Sequence, residues 1–274
     1  MMVEQIMGYD PFNMFLFLSV MILLGFFVLL FGVSIFLKNN NVVDLGWGLG
    51  FPLLAWMIYF FDENVTSVQM ILNTLVTIWG LRLTIYLAIR SFKAGEDWRY
   101  RNLRKSWYQN YYINAFLKIY MLQAISMLIV TLPLIYVAGI DSNRISIVQA
   151  TFILIWTIGF YLESLADLQL YQFKSNSENN GRLLTKGVWG LSRHPNYLGE
   201  MIMWWSVAII SVSDLSSIWV LVAPFFLTIM IYKVTGVKLM EKKLKGYEGY
   251  IDYMRKTRAV LPNLRLGSQE AQVA

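Results

Sequence analysis

The sequence contains no cysteine and a single histidine, His194, among its 274 residues. The absence of cysteine excludes disulfide bonds and thiolate metal sites. One histidine cannot supply the several imidazole ligands of a usual zinc or di-iron centre, so we expect no metal site. Charged residues are also scarce, at 15% of the chain, whereas hydrophobic residues reach 57%. Soluble domains carry about 25% charged residues, so this composition predicts an integral membrane protein.

Seven apolar segments approach or exceed the length of about 20 residues that a membrane-spanning helix needs. In chain order they are residues 12–37, 45–61, 68–90, 112–139, 145–173, 196–212 and 216–233. No basic residue precedes the first segment, which is unlike a cleaved signal peptide. The sequence therefore predicts an all-α integral membrane protein, a bundle of about seven transmembrane helices. We expect one domain over residues 1–265, followed by a disordered tail at residues 266–274.

The basic residues fall in alternate connections between these segments. With the N-terminus outside, the inner connections and the C-terminal segment hold Lys38, Lys93, Arg99, Arg101, Arg104, Lys105, Lys174, Arg182, Lys186, Arg193, Lys233, Lys238, Lys242, Lys243, Lys245, Arg255, Lys256, Arg258 and Arg265. The outer connections are acidic apart from Arg144. The positive-inside rule then predicts a cytoplasmic C-terminus, in the inner (plasma) membrane if the source is bacterial. The net charge of +6 then comes from a basic cytoplasmic face that meets membrane lipid. We expect no nucleic-acid partner.

Five charged residues lie inside the predicted spans or at their inner ends. They are Asp44, Arg82, Glu163, Asp167 and Glu200. Charges in a bilayer are costly and commonly mark a functional site. One interpretation is structural, with Arg82 neutralising Asp44 or Glu163. The other is a polar pocket open to the cytosol, because all five fall at similar depth under a basic surface that would attract an anionic ligand.

The densest polar chemistry lies in residues 184–200, LTKGVWGLSRHPNYLGE. Arg193, His194, Asn196 and Tyr197 stand at the predicted start of a helix, where anions bind readily. His194 is either a general acid or a hydrogen-bonded structural residue. Tyr197 and Trp189 either stack on a planar ring or anchor the chain at the membrane interface. Gly46, Gly48 and Gly50 imitate part of a dinucleotide fingerprint, but they lie in a predicted span, where small residues favour close helix packing.

Several motifs resemble those of the steroid 5α-reductase-like membrane proteins. They are WGLSRHPNYLGE at 189–200, KLMEKKLKGYEGYIDYMRKTRAVLP at 238–262, WGLRLTIYLAIR at 79–90 and GEDWRY at 95–100. The chain is most similar in pattern to the bacterial branch of uncharacterised multi-spanning members. The resemblance implies an NADPH-dependent oxidoreductase of lipid metabolism that acts on CH–CH groups. Its hydride would pass to the C=C bond of an α,β-unsaturated, steroid-like or isoprenoid lipid ketone.

The resemblance also implies roles for individual residues. Asn196 and Glu200 would hold the nicotinamide end of NADPH, and Asp44, Asn196 and Glu200 form the expected catalytic set. Arg82, Tyr86, Asp167 and Lys174 would line the cofactor, and Lys238 and Lys242 would reach its phosphates. The polar residues described above, Glu163, Arg193, His194 and Tyr197, complete the expected cofactor-binding set with Asn196 and Glu200. The family addresses its substrate carbonyl with a Gln-Glu pair, where this chain has Val43 and Asp44. A family tyrosine is replaced by Trp79, so the resemblance speaks for reduction more strongly than for a steroid substrate.

Two alternatives to a reductase remain at this point. The Arg-His-Pro-Asn-Tyr run also resembles isoprenylcysteine methyltransferase-like proteins, which suggests an S-adenosylmethionine-dependent lipid or isoprenoid methyltransferase. A membrane protein that binds lipid without catalysis would explain the same composition. The first alternative predicts binding of S-adenosylmethionine, and the second predicts that Glu200 and Arg82 matter for stability alone.

Overall fold

The computed structural model describes residues 10–140 and 145–262, except for the side chains of residues 92–94. Within these ranges every regular element is a helix. Among the described residues, six helices are long and apolar enough to cross a membrane: Pro11–Leu37, Asn41–Phe61, Ser67–Ser91, Tyr108–Val130, Ile147–Ser175 and Leu215–Leu244. The prediction of a helical protein with membrane-spanning segments is confirmed. The tail predicted at residues 266–274 lies outside the described residues.

The predicted count of seven spans is not confirmed. The sixth predicted segment forms a helix at Pro195–Ser211, which has 17 residues. This length is short of the roughly 20 residues that span the hydrocarbon core. The helix begins at Pro195, since a proline is tolerated in the first turn, where its missing N–H has no helical partner.

The chain divides into two compact units, and the prediction of a single domain over residues 1–265 stays a prediction. The first unit comprises Met1–Ser146 and Ile210–Ala223. Its helices are α1 (Pro11–Leu37), α2 (Asn41–Phe61), α3 (Ser67–Ala94), α4 (Trp98–Ser106), α5 (Tyr111–Ala115), α6 (Leu122–Val130) and α7 (Leu132–Val137). Short 3₁₀ segments lie at Tyr108–Asn110 and Leu215–Leu221, and a π segment at Phe116–Met121 joins α5 to α6.

Helix α1 is defined at both ends by its sequence. The Asp10 side chain accepts a hydrogen bond from the backbone N–H of Phe12, and Pro11 occupies the first turn. The helix ends at Lys38, which adopts a left-handed conformation with φ of 52°. A left-handed residue ends a helix by turning its N–H back to the last carbonyls, so α2 can begin at Asn41.

Helices α2 and α3 pack closely through glycines. A side chain at Gly80 would collide with the carbonyl oxygen of Gly48 and with the ring of Pro52. A side chain at Gly48 would collide with the hydroxyl of Thr84 and the backbone of α3. The glycines of the DLGWGLG run therefore serve helix packing, as the sequence predicts, because only residues without a Cβ allow this approach.

The fourth predicted span, residues 112–139, is interrupted. The long helix ends at Val130, and α7 begins at Leu132. Pro133 has no N–H to donate to the preceding turn. The hydroxyl of Thr131 donates to the carbonyl oxygen of Met127 at 2.9 Å. Together these residues break the helix within the apolar run.

The second unit comprises Ile147–Ile209 and Pro224–Ala274. Its helices are α8 (Ile147–Ser175), α9 (Val188–Leu191), α10 (Pro195–Ser211), α11 (Val222–Ile229), α12 (Val237–Leu244) and α13 (Tyr250–Lys256). A 3₁₀ turn lies at Ser177–Asn179, and a π segment at Met230–Thr235 precedes α12. Helices α10 and α11 also contribute a few residues to the first unit.

Candidate functional site

Helices α8 and α10 of the second unit cross at two glycines. A Cβ atom at Gly199 would lie 2.6 Å from the carbonyl oxygen of Gly159 and 2.7 Å from the backbone nitrogen of Glu163. A Cβ atom at Gly159 would lie 2.9 Å from the carbonyl oxygen of Gly199. The first turns of α10 therefore rest on α8 beside Glu163.

Two acidic side chains of α8 are buried close to this crossing. Glu163 and Asp167 are 3% and 4% exposed. Their i, i+4 spacing puts them on one face of α8, as the sequence predicts. On α10, Asn196, Gly199 and Glu200 share a face for the same reason. The crossing at Gly199 therefore brings the polar start of α10 to the acidic face of α8.

The half-buried Asn196 has a side-chain oxygen that is itself buried and unsatisfied. Within the described residues its Oδ1 atom is buried and has no hydrogen-bond partner. Buried polar atoms are nearly always hydrogen-bonded, and each exception calls for an explanation such as a ligand or a water molecule. Asn196 is therefore a side chain of this unit that can accept a hydrogen bond from a bound molecule.

His194 is buried, with 3% of its surface exposed, and stacks on Tyr197 with 5.4 Å between ring centroids. Its Nε2 atom lies 3.6 Å from Oε1 of Glu241, which is beyond hydrogen-bond distance. Burial lowers the pKa of His194 to about 4, and the neighbouring Arg193 lowers it as well, although Glu241 opposes the shift. The imidazole is therefore neutral near pH 7. The observed stacking partner of Tyr197 is a ring of the protein itself.

Arg193 is engaged by protein groups on all three guanidinium nitrogens. Its Nε atom donates to Oε1 of Glu241 at 2.9 Å, and Nη2 donates to the same oxygen. Its Nη1 atom donates to the carbonyl oxygens of Met254, at 3.2 Å, and Thr257. Arg193 thus clamps the start of α10 to α12 and α13. Arg193 was predicted to bind the cofactor, but its guanidinium already binds groups of the protein.

The segment before α10 is fixed to its neighbours by further hydrogen bonds. The indole Nε1 of Trp189 donates to the carbonyl oxygen of Ala166 at 3.1 Å. The hydroxyl of Tyr253 donates to the carbonyl oxygen of Trp189. Gly187 has φ of 64° and lies against the amide of Gln169, whose Oε1 accepts from the N–H of Val188 at 3.1 Å. Trp189 is therefore an internal anchor of this unit.

The three lysines predicted to bind cofactor are exposed. Lys174 lies in the last turn of α8, and Lys238 and Lys242 lie one turn apart on α12. All three side chains are accessible to an anionic group that approaches from solvent. In this they differ from Glu163, Asp167 and His194, which are buried.

In the first unit, Asp44 lies in a polar cluster with the first turn of α4. The hydroxyl of Tyr100 donates to Oδ1 of Asp44 at 2.5 Å, and Nη2 of Arg99 donates to Oδ2 at 3.2 Å. Burial and the neighbouring Asp44 raise the pKa of Tyr100 well above its usual range. Burial favours a higher pKa for Asp97 too, but the hydrogen bond and charge of Arg99 outweigh it and lower that pKa.

Sequence reasoning missed the neighbours of this cluster, the consecutive Asn40 and Asn41. The Asn41 amide donates to the carbonyl oxygen of Gly95 at 2.8 Å and accepts from the N–H of Asp97 at 2.8 Å. The Asn40 side chain donates to Oε1 of Glu96 at 3.0 Å. Arg104 binds the same oxygen at 2.8 Å. These contacts fix the GEDWRY loop to the start of α2.

Arg82 and Tyr86 lie one turn apart on α3, in the first unit, and both are half-buried. The other predicted cofactor residues belong to the second unit. There the structure brings together Glu163, Asn196 and Glu200 at the helix crossing, and Arg193 and His194 beside Glu241. Among the described residues no group of three or more acidic or histidine side chains could hold a metal ion.

Comparison with known proteins gives a family and one distant relative. A family model described as "Protein of unknown function (DUF1295)" matches residues 30–257. An uncharacterised protein of Schizosaccharomyces pombe is 28% identical over 206 residues, which cover 65% of this chain and 59% of that protein. The chain thus spans less than two thirds of that relative's length. No solved structure matches.

Proposed function

This chain belongs to the family described as "Protein of unknown function (DUF1295)", and we propose that it is an NADPH-dependent reductase of an apolar α,β-unsaturated lipid ketone. The observation that carries the proposal is the buried, unsatisfied Oδ1 atom of Asn196. It lies at the start of α10, where the crossing at Gly199 meets the acidic face of α8. The motif resemblance of residues 189–200 supports the same assignment.

The donor and acceptor types at this place fit a nicotinamide. The carboxamide of a nicotinamide has an N–H that needs an acceptor, which Asn196 Oδ1 provides. When bound, NADPH supplies the hydride that adds to the β-carbon of a conjugated ketone. Glu200, one turn beyond Asn196, would help Asn196 to orient the ring. Glu163 and Asp167 beside the crossing are buried, and a hydrogen bond in such a shielded place is stronger than one in water.

The phosphate end of NADPH needs cationic side chains. The guanidinium of Arg193 is already bound to Glu241 and two carbonyl oxygens, so we assign Arg193 a positioning role. We assign the phosphates to Lys174, Lys238 and Lys242, because these basic side chains are exposed. The assignment of Arg82 and Tyr86 to the cofactor remains part of the proposal.

Reduction of an enone builds negative charge on its carbonyl oxygen, so a hydrogen-bond donor must face that oxygen. Asp44 accepts hydrogen bonds from Arg99 and Tyr100 on its two oxygens. We therefore propose that Asp44 positions the first turn of α4, which carries Tyr100. The substrate is expected to be apolar, because ligand sites are lined mainly by hydrophobic side chains and the surrounding chain is rich in them.

The test is cofactor binding by the purified full-length protein. We expect NADPH to raise the temperature of unfolding and S-adenosylmethionine to leave it unchanged. Asn196→Ala removes one hydrogen bond to the nicotinamide, which should weaken NADPH binding by about tenfold. Asn102→Ala is the matched control, since Asn102 is an exposed residue of α4. A shift with S-adenosylmethionine alone would support the methyltransferase alternative, and equal NADPH binding by both variants would refute the role of Asn196.

A further inference from the structure

The last long helix of the chain leads into a strongly basic segment. Residues 215–232 carry no charge, and Lys233 is the first charged side chain after them. Eighteen to twenty helical residues cover most of the roughly 30 Å hydrocarbon core. The chain beyond Lys233, which includes α12 and α13, therefore lies at the depth of the lipid headgroups.

Helix α13 presents one anchored face and one exposed face. Tyr250, Tyr253 and Thr257 are buried. The hydroxyl of Thr257 donates to the carbonyl oxygen of Gly190 at 3.3 Å, and Tyr253 is bonded to Trp189. These contacts fix the helix by its buried side, so the remaining side chains point outward as a set.

Five exposed cations from the end of α12 to the residues after α13 form what we call the C-terminal basic surface. Its members are the exposed cations Lys243, Lys245, Arg255, Lys256 and Arg258. Glu241, the acidic residue of α12, is bound to Arg193 and does not neutralise them. Only Glu248 and Asp252 oppose the cations in this stretch, and Asp252 lies 3.8 Å from Arg255.

Large apolar side chains are interleaved with these cations. Ile251 is 48% exposed, Met254 37% and Leu261 61%. A surface helix that combines outward lysine and arginine with outward apolar groups is typical of segments lying in the interface of an anionic membrane. The apolar groups enter the acyl boundary while the cations stay among the headgroups.

We propose that the C-terminal basic surface binds the headgroups of anionic phospholipids in the leaflet that it faces. Two observations indicate this ligand. The surface is positively charged, and its cations follow a membrane-spanning helix, which places them at the depth of the headgroups. Clusters of four to eight basic residues at this place attract anionic lipid. The proposal does not depend on the reductase assignment and uses none of the residues assigned to the cofactor.

The absence of cysteine allows a local measurement on the full-length protein. A donor dye is attached to Ile251→Cys, and the protein is reconstituted in phosphatidylcholine nanodiscs. The acceptor dye is carried on an acyl chain of a trace lipid. This lipid is phosphatidylglycerol in one sample and phosphatidylcholine in the other. We expect the phosphatidylglycerol acceptor to be enriched on the order of threefold around the donor, and salt to reduce the enrichment.

Two controls make the result specific to the surface. Neutralising Lys245, Arg255 and Arg258 to glutamine in the Ile251→Cys background should abolish the enrichment. A donor at Leu215→Cys, at the opposite end of the same span, should show no preference between the two lipids. Equal transfer to both acceptors at Ile251→Cys, or enrichment that survives neutralisation, would overturn the proposal. If the surface instead binds an acidic protein, transfer to the two lipid acceptors would also be equal, and the lipid proposal would be wrong.

Discussion

At the scale of single residues, the RHPN segment divides its tasks between neighbours. The guanidinium of Arg193 donates hydrogen bonds to Glu241 and to two carbonyl oxygens, so Arg193 binds the C-terminal helices. His194 is held neutral in the interior. Asn196 keeps an acceptor without a partner among the described residues. One polar run therefore contains a clamp, a buried ring and a candidate ligand-binding group within four positions.

The neutral state of His194 predicts how stability depends on pH. Its pKa is about 4 in the folded protein and 6.5 ordinarily, so between these values the unfolded chain binds a proton that the folded protein does not. The free energy of unfolding therefore falls as the pH drops below about 6.5, by roughly 2 kcal/mol at pH 5. Above pH 6.5 this contribution vanishes.

Unfolding temperatures of wild type and His194→Gln in detergent, at pH 7 and pH 5, test this expectation. The chain has no other histidine, so the wild-type loss that is absent from the variant belongs to this residue. An equal loss on acidification in both proteins would show that His194 is not held neutral.

At the scale of elements, two crossings depend on glycine, and the sequence indicated one of them. The DLGWGLG run stands out by its spacing, and its Gly48 does pack against α3. Gly159 and Gly199 are single glycines far apart in the chain, and nothing in either local pattern pairs them. A contact between distant segments leaves no periodic signal, so the crossing that positions Asn196 had to be observed.

The crossing of α8 and α10 predicts a large effect of one methyl group. In Gly199→Ala the new Cβ would meet backbone atoms of Gly159 and Glu163 at 2.6 and 2.7 Å. Backbone cannot move aside as a side chain does, so the helices must separate. We expect a loss of about 1–3 kcal/mol in stability and weaker binding of any ligand that contacts Asn196.

Gly32→Ala is the matched control, because a Cβ atom there meets nothing within 4 Å. Alanine favours a helix by roughly 0.5–1 kcal/mol over glycine, so this variant should be as stable as wild type or more so. Thermal unfolding of the two variants side by side gives the comparison. A Gly199→Ala protein as stable as Gly32→Ala would contradict the close packing.

At the scale of the whole molecule, long apolar runs were the most predictable feature. The apolar boundaries at Leu37 and Phe61 agree with the ends of α1 and α2. The break at Thr131 was missed, because a hydroxyl bonded within the helix and a following proline do not interrupt an apolar run. The loop fixed by Asn40 and Asn41 was missed since polar residues between spans have no periodicity to read.

Orientation in the membrane is a property of the whole chain and can be tested directly. The positive-inside rule places the connection at residues 62–66 outside and the basic C-terminal segment inside. The chain has no cysteine, so each introduced thiol is the single site of labelling. Asn64→Cys and Lys245→Cys lie at exposed positions in these two segments. In intact cells, a membrane-impermeant maleimide should label Asn64→Cys and leave Lys245→Cys unlabelled until the membrane is permeabilised. Labelling of Lys245→Cys in intact cells would reverse the orientation, and with it the cytosolic access that the reductase proposal needs.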